Sequence, residues 1–217
     1  MEPVVLAGRA GRAELAVVTE LAVVGEPARE RPSGSATGVD GAAVATSAAE
    51  SEPTAADGRD GRVTAAAVVS ELRRLGHTLA TAESLTGGLL GAAVTAVPGS
   101  SAAYRGGVIA YATDLKHTLL GVDADQLERF GAIDGDTAAA MAAGVRLRTA
   151  ATVAVATTGV AGPGGQEGHP PGTVYLGWAD ERSASSVRLA LSGTRDEIRT
   201  ATVQAALDLV LDRLRST

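Results

Sequence analysis

From residue 63 onward the apolar positions alternate between helical and strand-like spacing. Val63–Leu75 reads as a helix, and His77–Ala82 as a short strand. The turn Glu83-Ser84-Leu85-Thr86-Gly87-Gly88 then opens an Ala-rich helix that runs to about Ala96 and is broken by Pro98-Gly99. Gly106–Ala112 has the continuous apolar character of a buried strand, and Thr113–Leu120 reads as a helix ended by Gly121. Asp123 with Gln126 three residues on predicts a capping box and a helix to about Phe130. Thr137–Ala150 is helical, with Met141, Val145 and Leu147 among its apolar positions, and Thr152–Thr157 is a β-branched strand. After a Gly/Pro-rich connection (159–172), Thr173–Ala179 and Ser185–Leu191 read as two paired strands. Thr194 and Glu197 form a second capping box. The helix they start places Ile198, Val203, Leu207, Val210, Leu211 and Leu214 near a 3.6-residue period. Strands interleaved with helices predict a sheet covered on both faces: one three-layer α/β/α domain over residues 63–217.

The pattern stops N-terminal to residue 63. Residues 26–62 are rich in Gly, Ala, Ser, Pro and charge, with few large apolar side chains, so burial there cannot offset the entropy of ordering. Residues 1–62 are therefore expected to be a low-complexity, mostly disordered extension. The more apolar stretch 13–25 has the makings of a short helix. Residues 1–62 hold ten acidic and six basic side chains, a net of −4 against −6 for the whole chain, which leaves the domain near neutral.

That charge balance argues against a broad electrostatic grip on nucleic acid. It leaves room for a small anionic molecule held by one or two local cations. There are no cysteines, which excludes disulfides and thiolate chemistry. His77, His117 and His169 are scattered and lack metal-ligand spacing, so no metal and no cofactor are expected. No apolar run approaches the roughly 18 residues of a membrane span, and the start Met1-Glu2-Pro3 lacks a secretory pattern. The expectation is a cytoplasmic protein with a small-molecule partner. An Ala-rich helix surface on a small domain is compatible with a homo-oligomer.

Three segments carry candidate chemistry. In Ala82-Glu83-Ser84-Leu85-Thr86-Gly87-Gly88 a hydroxyl ends a strand and two glycines open a helix, offering backbone N–H groups where an acyl-transfer oxyanion would form. Equally, Ser84 or Thr86 would cap that helix, and Glu83 would either meet a substrate group or sit favourably at the helix start. In the second segment, Tyr111 ends a strand and Lys116 follows within the next helix. Lys116 is the single lysine among 19 basic residues. A chain that writes Arg wherever charge suffices points, at its one Lys, to a group that can lose a proton; a lysine left by chance is the alternative. The third segment, Thr157-Thr158-Gly159-Val160-Ala161-Gly162-Pro163-Gly164-Gly165, either brings N–H groups to a phosphate or carboxamide or is a plain connection. It is neither a Walker loop nor a dinucleotide fingerprint. Arg105, Arg195 and Arg199 are spare cations for a phosphate, with Arg195 and Arg199 expected chiefly on the exposed face of the last helix.

Taken together, AESLTGG (82–88), GGVIAYATDLKHTLLGV (106–122), TTGVAGPGG (157–165) and PGTVYLGW (171–178) resemble, in order, the CinA C-terminal domain family, the PncC type of nicotinamide-nucleotide amidohydrolase. The resemblance covers roughly residues 63–215. It implies a hydrolase that converts nicotinamide mononucleotide and water to nicotinate mononucleotide and ammonia. It further implies a metal-independent site with Ser84, Tyr111 and Lys116 as catalytic residues. Glu83, Thr86, Gly87, Gly88, Arg105, Thr158, Gly159, Gly162 and Gly164 are the substrate-binding candidates. N–H groups around Thr86–Gly88 are expected to hold the oxyanion. Two other readings stand beside this one: a non-catalytic nucleotide-binding regulatory module, and an amidohydrolase for a different amide.

Overall fold

Local capping fixes where most of the helices start. The computed structural model describes residues 16–20 and 63–216. In chain order its elements are β1 (Ala16–Glu20), α1 (Ala65–Leu75), β2 (Leu79–Glu83), α2 (Leu89–Thr95), β3 (Tyr104–Ile109), α3 (Thr113–Leu120), α4 (Ala124–Phe130), α5 (Gly135–Thr149), β4 (Val153–Gly159), β5 (Thr173–Ala179), β6 (Ala184–Ala190) and α6 (Arg195–Arg215). Thr64 caps α1 by accepting from the Ala67 N–H, which moves its start inward from Val63. Asp134 caps α5 through the N–H groups of Asp136 and Thr137, so that helix begins two residues earlier than its apolar pattern indicates. At α6 both halves of the Thr194/Glu197 capping box form. At α4 only half does. Asp123 accepts from the Gln126 N–H, while the Gln126 side-chain nitrogen is buried without a partner.

The six strands form one mixed sheet in the order β1-β6-β5-β4-β2-β3. The β2–β3 and β2–β4 pairs are parallel, and the other three pairs are antiparallel. Helices cover both faces, as a three-layer α/β/α domain requires. The continuous apolar run of β4 follows from this: Val153 and Val155 face one core, Ala154 and Ala156 the other. On the first face α1, α2 and α6 pack Leu72, Val94, Ile198 and Val210 against Leu79, Val155 and Leu176. On the second, α5 lays Met141, Ala142 and Val145 over Ala80, Ala82, Ala154 and Ala156. Those small side chains bring α5 close to the sheet. At Gly177 a Cβ would collide with the Ala138 carbonyl oxygen, so the strand needs glycine there.

The N-terminal region departs from expectation. Residues 16–20, expected within a short helix, are a strand paired antiparallel with β6, from Ala16 opposite Ala190 to Glu20 opposite Ser186. The open edge of β6 offers ladder hydrogen bonds to a Val-rich segment, and tertiary pairing overrides a weak local preference. The extension therefore contributes to the sheet rather than standing wholly apart from the domain. The expected disordered stretch 26–62 lies outside the described residues.

Candidate active site

The site forms beyond the carboxyl ends of the neighbouring parallel strands β3, β2 and β4, where connections leave the sheet. Ser84 is the first residue after β2. Its N–H donates to the Thr157 carbonyl (2.9 Å), which holds the nucleophile candidate against β4. The turn behind it is fixed by Glu83. That carboxylate is 2% exposed and accepts from the N–H groups of Gly88 (2.9 Å), Leu90 (3.1 Å) and Gly91 (2.7 Å). It satisfies the donors that α2 would otherwise leave unpaired. Gly88, the N-cap residue, makes no side-chain cap, so neither Ser84 nor Thr86 caps this helix.

This arrangement changes the expected roles of the turn. Glu83 faces the helix start and does not line the cavity. The Gly87 N–H donates to the Ser84 carbonyl and the Gly88 N–H to Glu83, so two of the three N–H groups expected for an oxyanion are already engaged. Thr86 is buried with its hydroxyl on Thr157 (2.8 Å). Thr86, Gly87 and Gly88 are not among the residues that line the cavity. The Leu85 N–H has no acceptor among the described residues, and Leu85 lines the cavity.

Lys116, on the first turns of α3, is 1% exposed. Its ammonium donates to the Ala110 carbonyl (2.9 Å) and to Ser84 Oγ (3.1 Å). Burial pushes its pKa down to about 8, against the opposing pull of Glu167 and Asp114. About a tenth of the side chain is then neutral at pH 7. A group so tuned can hold a proton in the resting state and accept another group's proton at modest cost.

A cavity of about 230 Å³ opens above this pair. Of the sequence-derived candidates, Ser84, Tyr111, Lys116, Thr158, Gly159, Gly162 and Gly164 all line it. Thr158 holds one wall by donating to the Ala132 carbonyl (2.6 Å). Tyr111 is 59% exposed at the mouth, and its hydroxyl accepts from Arg195 Nη2 (3.0 Å). Arg105 is elsewhere. It sits at the start of β3, at the opposite end of the sheet, and donates to the Thr149 carbonyl (3.0 Å). It does not line this cavity.

Sequence reasoning underrated Arg195 and Arg199, at the start of α6. Arg195 bridges the mouth, reaching the Gly162 carbonyl (2.8 Å) as well as Tyr111. Arg199 donates to the carbonyls of Leu85 (3.1 Å) and Thr86 (3.0 Å), bracing the Ser84 turn from outside. The Thr194/Glu197 capping box marked the start of α6, but nothing local tells that this start abuts the site. Ala132 and Ile133, a second wall, were also missed, because no side-chain chemistry marks them.

Comparison with known proteins agrees with this architecture. A family described as the CinA C-terminal domain matches residues 62–214. A CinA-like protein of Frankia casuarinae is 54% identical over 133 residues, covering 61% of this chain and 31% of that protein. A putative competence-damage inducible protein of Halalkalibacterium halodurans is 43% identical over 151 residues, covering 68% and 36% respectively. The chain thus spans about a third of the length of these curated relatives. Among solved structures, a competence-damaged protein (CinA) superfamily protein of Klebsiella pneumoniae superposes with a TM-score of 0.69 at 30% identity, covering 70% of this chain and 96% of that one. The competence/damage inducible protein CihA of Agrobacterium tumefaciens does so at 0.66 and 39% identity, covering 70% and 93%. Strand β1 lies outside the family match.

Proposed function

The chain belongs to the CinA C-terminal domain family, and on that premise we propose that it is a serine amidohydrolase that deamidates nicotinamide mononucleotide to nicotinate mononucleotide and ammonia. The observation that carries the reading is the buried Lys116 ammonium 3.1 Å from Ser84 Oγ at the floor of the cavity. The carboxamide and its pyridine ring enter above Ser84. Neutral Lys116 takes the Ser84 proton as Oγ attacks the carboxamide carbon. The Leu85 N–H, on the cavity wall, is the available backbone donor for the oxyanion. Collapse of the tetrahedral species breaks the C–N bond, and Lys116 returns the proton to the leaving nitrogen, giving ammonia and an acyl-Ser84 ester. Water, deprotonated by Lys116, then hydrolyses that ester to the carboxylate product. Lys116 touches Ser84 directly, so the transfer needs no relay through Tyr111.

The phosphate end of the nucleotide lies toward the mouth, where Arg195 supplies positive charge and the Gly-rich connection supplies N–H groups. Purified protein incubated with nicotinamide mononucleotide should release ammonia and yield a product about one mass unit heavier. Ser84→Ala should abolish both while binding persists. Binding without turnover in the unaltered protein would favour the regulatory-module reading, and ammonia released only from other amides would move the substrate.

A further inference from the structure

Between Gly165 and Pro170 the chain makes a tight two-residue turn. The Gln166 N–H donates to the His169 carbonyl (3.1 Å), and the His169 N–H returns to the Gln166 carbonyl (2.9 Å). The two residues at its tip, Glu167 and Gly168, both have positive φ, +52° and +78°. This is the pattern of a type I′ hairpin turn, which strongly favours Asn, Asp or Gly at its first central position. Glu is a strained choice there, and apart from Ala150 it is the only described non-glycine residue with positive φ. Its side chain supplies a reason. The carboxylate reaches across to accept from the N–H groups of Ala132 (2.8 Å) and Ile133 (3.1 Å). Gly131 makes room, because a Cβ there would collide with that carboxyl group. The same segment is held from its other sides by Thr158 on the Ala132 carbonyl and Thr137 on the Gly131 carbonyl. Ala132 and Ile133 line the cavity opposite Ser84, and Gln166 lines its roof.

We propose that Glu167 is a positioning residue of this site: its carboxylate ties the glycine-rich roof to the Ala132–Ile133 wall and sets a fixed negative charge within the field of the Lys116 ammonium. Among the groups acting on Lys116, Glu167 on the turn and Asp114 on α3 favour the charged form, against burial. At the mouth, Arg195 is directed at Tyr111 and Gly162. The length of the side chain matters. Asn or Asp would suit the turn better, but would stop short of the two N–H groups.

Two variants separate the turn from the tie and the tie from the charge. Glu167→Gln keeps an oxygen for the two N–H groups and removes the charge. Glu167→Asn relieves the turn, removes the charge and breaks the tie. Because Lys116 is the only lysine in the chain, protein grown with lysine labelled with 13C at Cε gives one side-chain signal whose pH titration reads Lys116 directly. That signal should titrate near pH 8 in the unaltered protein and at lower pH in both variants. Amide hydrogen exchange at Ala132 and Ile133 should quicken in Glu167→Asn and stay slow in Glu167→Gln. Neither readout uses turnover, so both decide the proposal even if nicotinamide mononucleotide is not the substrate. Where it is, KM should rise about tenfold in Glu167→Asn and remain within about threefold in Glu167→Gln. An unmoved lysine titration in Glu167→Gln overturns the electrostatic part, and unchanged exchange at Ala132 and Ile133 in Glu167→Asn overturns the tie.

Discussion

Lys116 and Ser84 are 32 residues apart in the chain, and Lys116 Nζ donates to Ser84 Oγ across 3.1 Å in a buried setting. In the proposed mechanism the lysine accepts the serine proton, and only its neutral form can do so. Activity on a neutral carboxamide should therefore climb with pH and level off above about 8. A rate profile of kcat/KM from pH 6 to 10 checks this; a flat profile would separate catalysis from the titration of Lys116.

The same titration has a consequence for stability. The folded pKa of about 8 lies below the roughly 10.4 of an unfolded lysine. Below pH 8 both states carry the proton, and burying the charge costs on the order of 3 kcal/mol. Between pH 8 and about 10.4 the unfolded state binds more protons than the folded one, so this penalty shrinks as pH rises. Lys116→Met fills the same space without charge. It should abolish turnover and, at pH 7, leave the fold as stable as the parent or more so. Urea denaturation of both proteins at pH 7 and pH 9.5 tests the sign: the stability advantage of Lys116→Met must be smaller at the higher pH.

Tyr111 and Arg195 form the mouth as a pair. Their hydrogen bond of 3.0 Å couples β3's exit to the start of α6, and Arg195 also holds the Gly162 carbonyl. Neither side chain hydrogen-bonds to Ser84 or Lys116. Tyr111→Phe and Arg195→Ala should therefore raise KM for a phosphorylated substrate more than they lower kcat. The double variant should lose less than the sum of the two, since each single change already breaks the shared contact. Steady-state kinetics of the four proteins provide the cycle. A loss of kcat of about a hundredfold or more in Tyr111→Phe would instead place the phenol in the proton path.

Much of the fold was legible because it is written in short-range patterns. The capping residues of α4 and α6, the period of α6 and the β-branched run of β4 are local properties, and each of these elements formed where its pattern lay. Ser84, Tyr111 and Lys116 stood out for equally local reasons: a hydroxyl at a strand-to-helix turn, a tyrosine at the end of a strand, and a lone lysine. What was not legible depends on the order of strands in the sheet. Parallel pairing of β2 with both β3 and β4 puts Gly159 and Tyr111 beside Ser84 but carries Arg105 to the far end, and no sequence period encodes that. The three N–H groups on Glu83 were hidden for the same kind of reason. A carboxylate five to eight residues before its donors follows no helix-capping spacing, so the acid looked available for substrate. Strand β1 was misread because an Ala- and Val-rich segment suits either structure until a sheet edge is offered to it.

Glu83 and Arg105 supply the last prediction, since neither lines the Ser84 cavity. Glu83 is buried and holds three N–H groups at the start of α2. Glu83→Gln retains one acceptor oxygen but turns charge-assisted hydrogen bonds into neutral ones, and places an NH₂ against backbone donors. It should lower unfolding stability by about 1–3 kcal/mol. Because Ser84 is its immediate neighbour, kcat should fall with it while KM changes little. Arg105→Ala removes a guanidinium that hydrogen-bonds to the Thr149 carbonyl at the other end of the sheet. It should leave KM and kcat unchanged. Denaturant titration and steady-state kinetics on the two variants distinguish these outcomes. A marked rise in KM for Arg105→Ala would mean that the nucleotide binds far from the Ser84 cavity, while unchanged stability in Glu83→Gln would mean that the helix start is held by something other than this carboxylate.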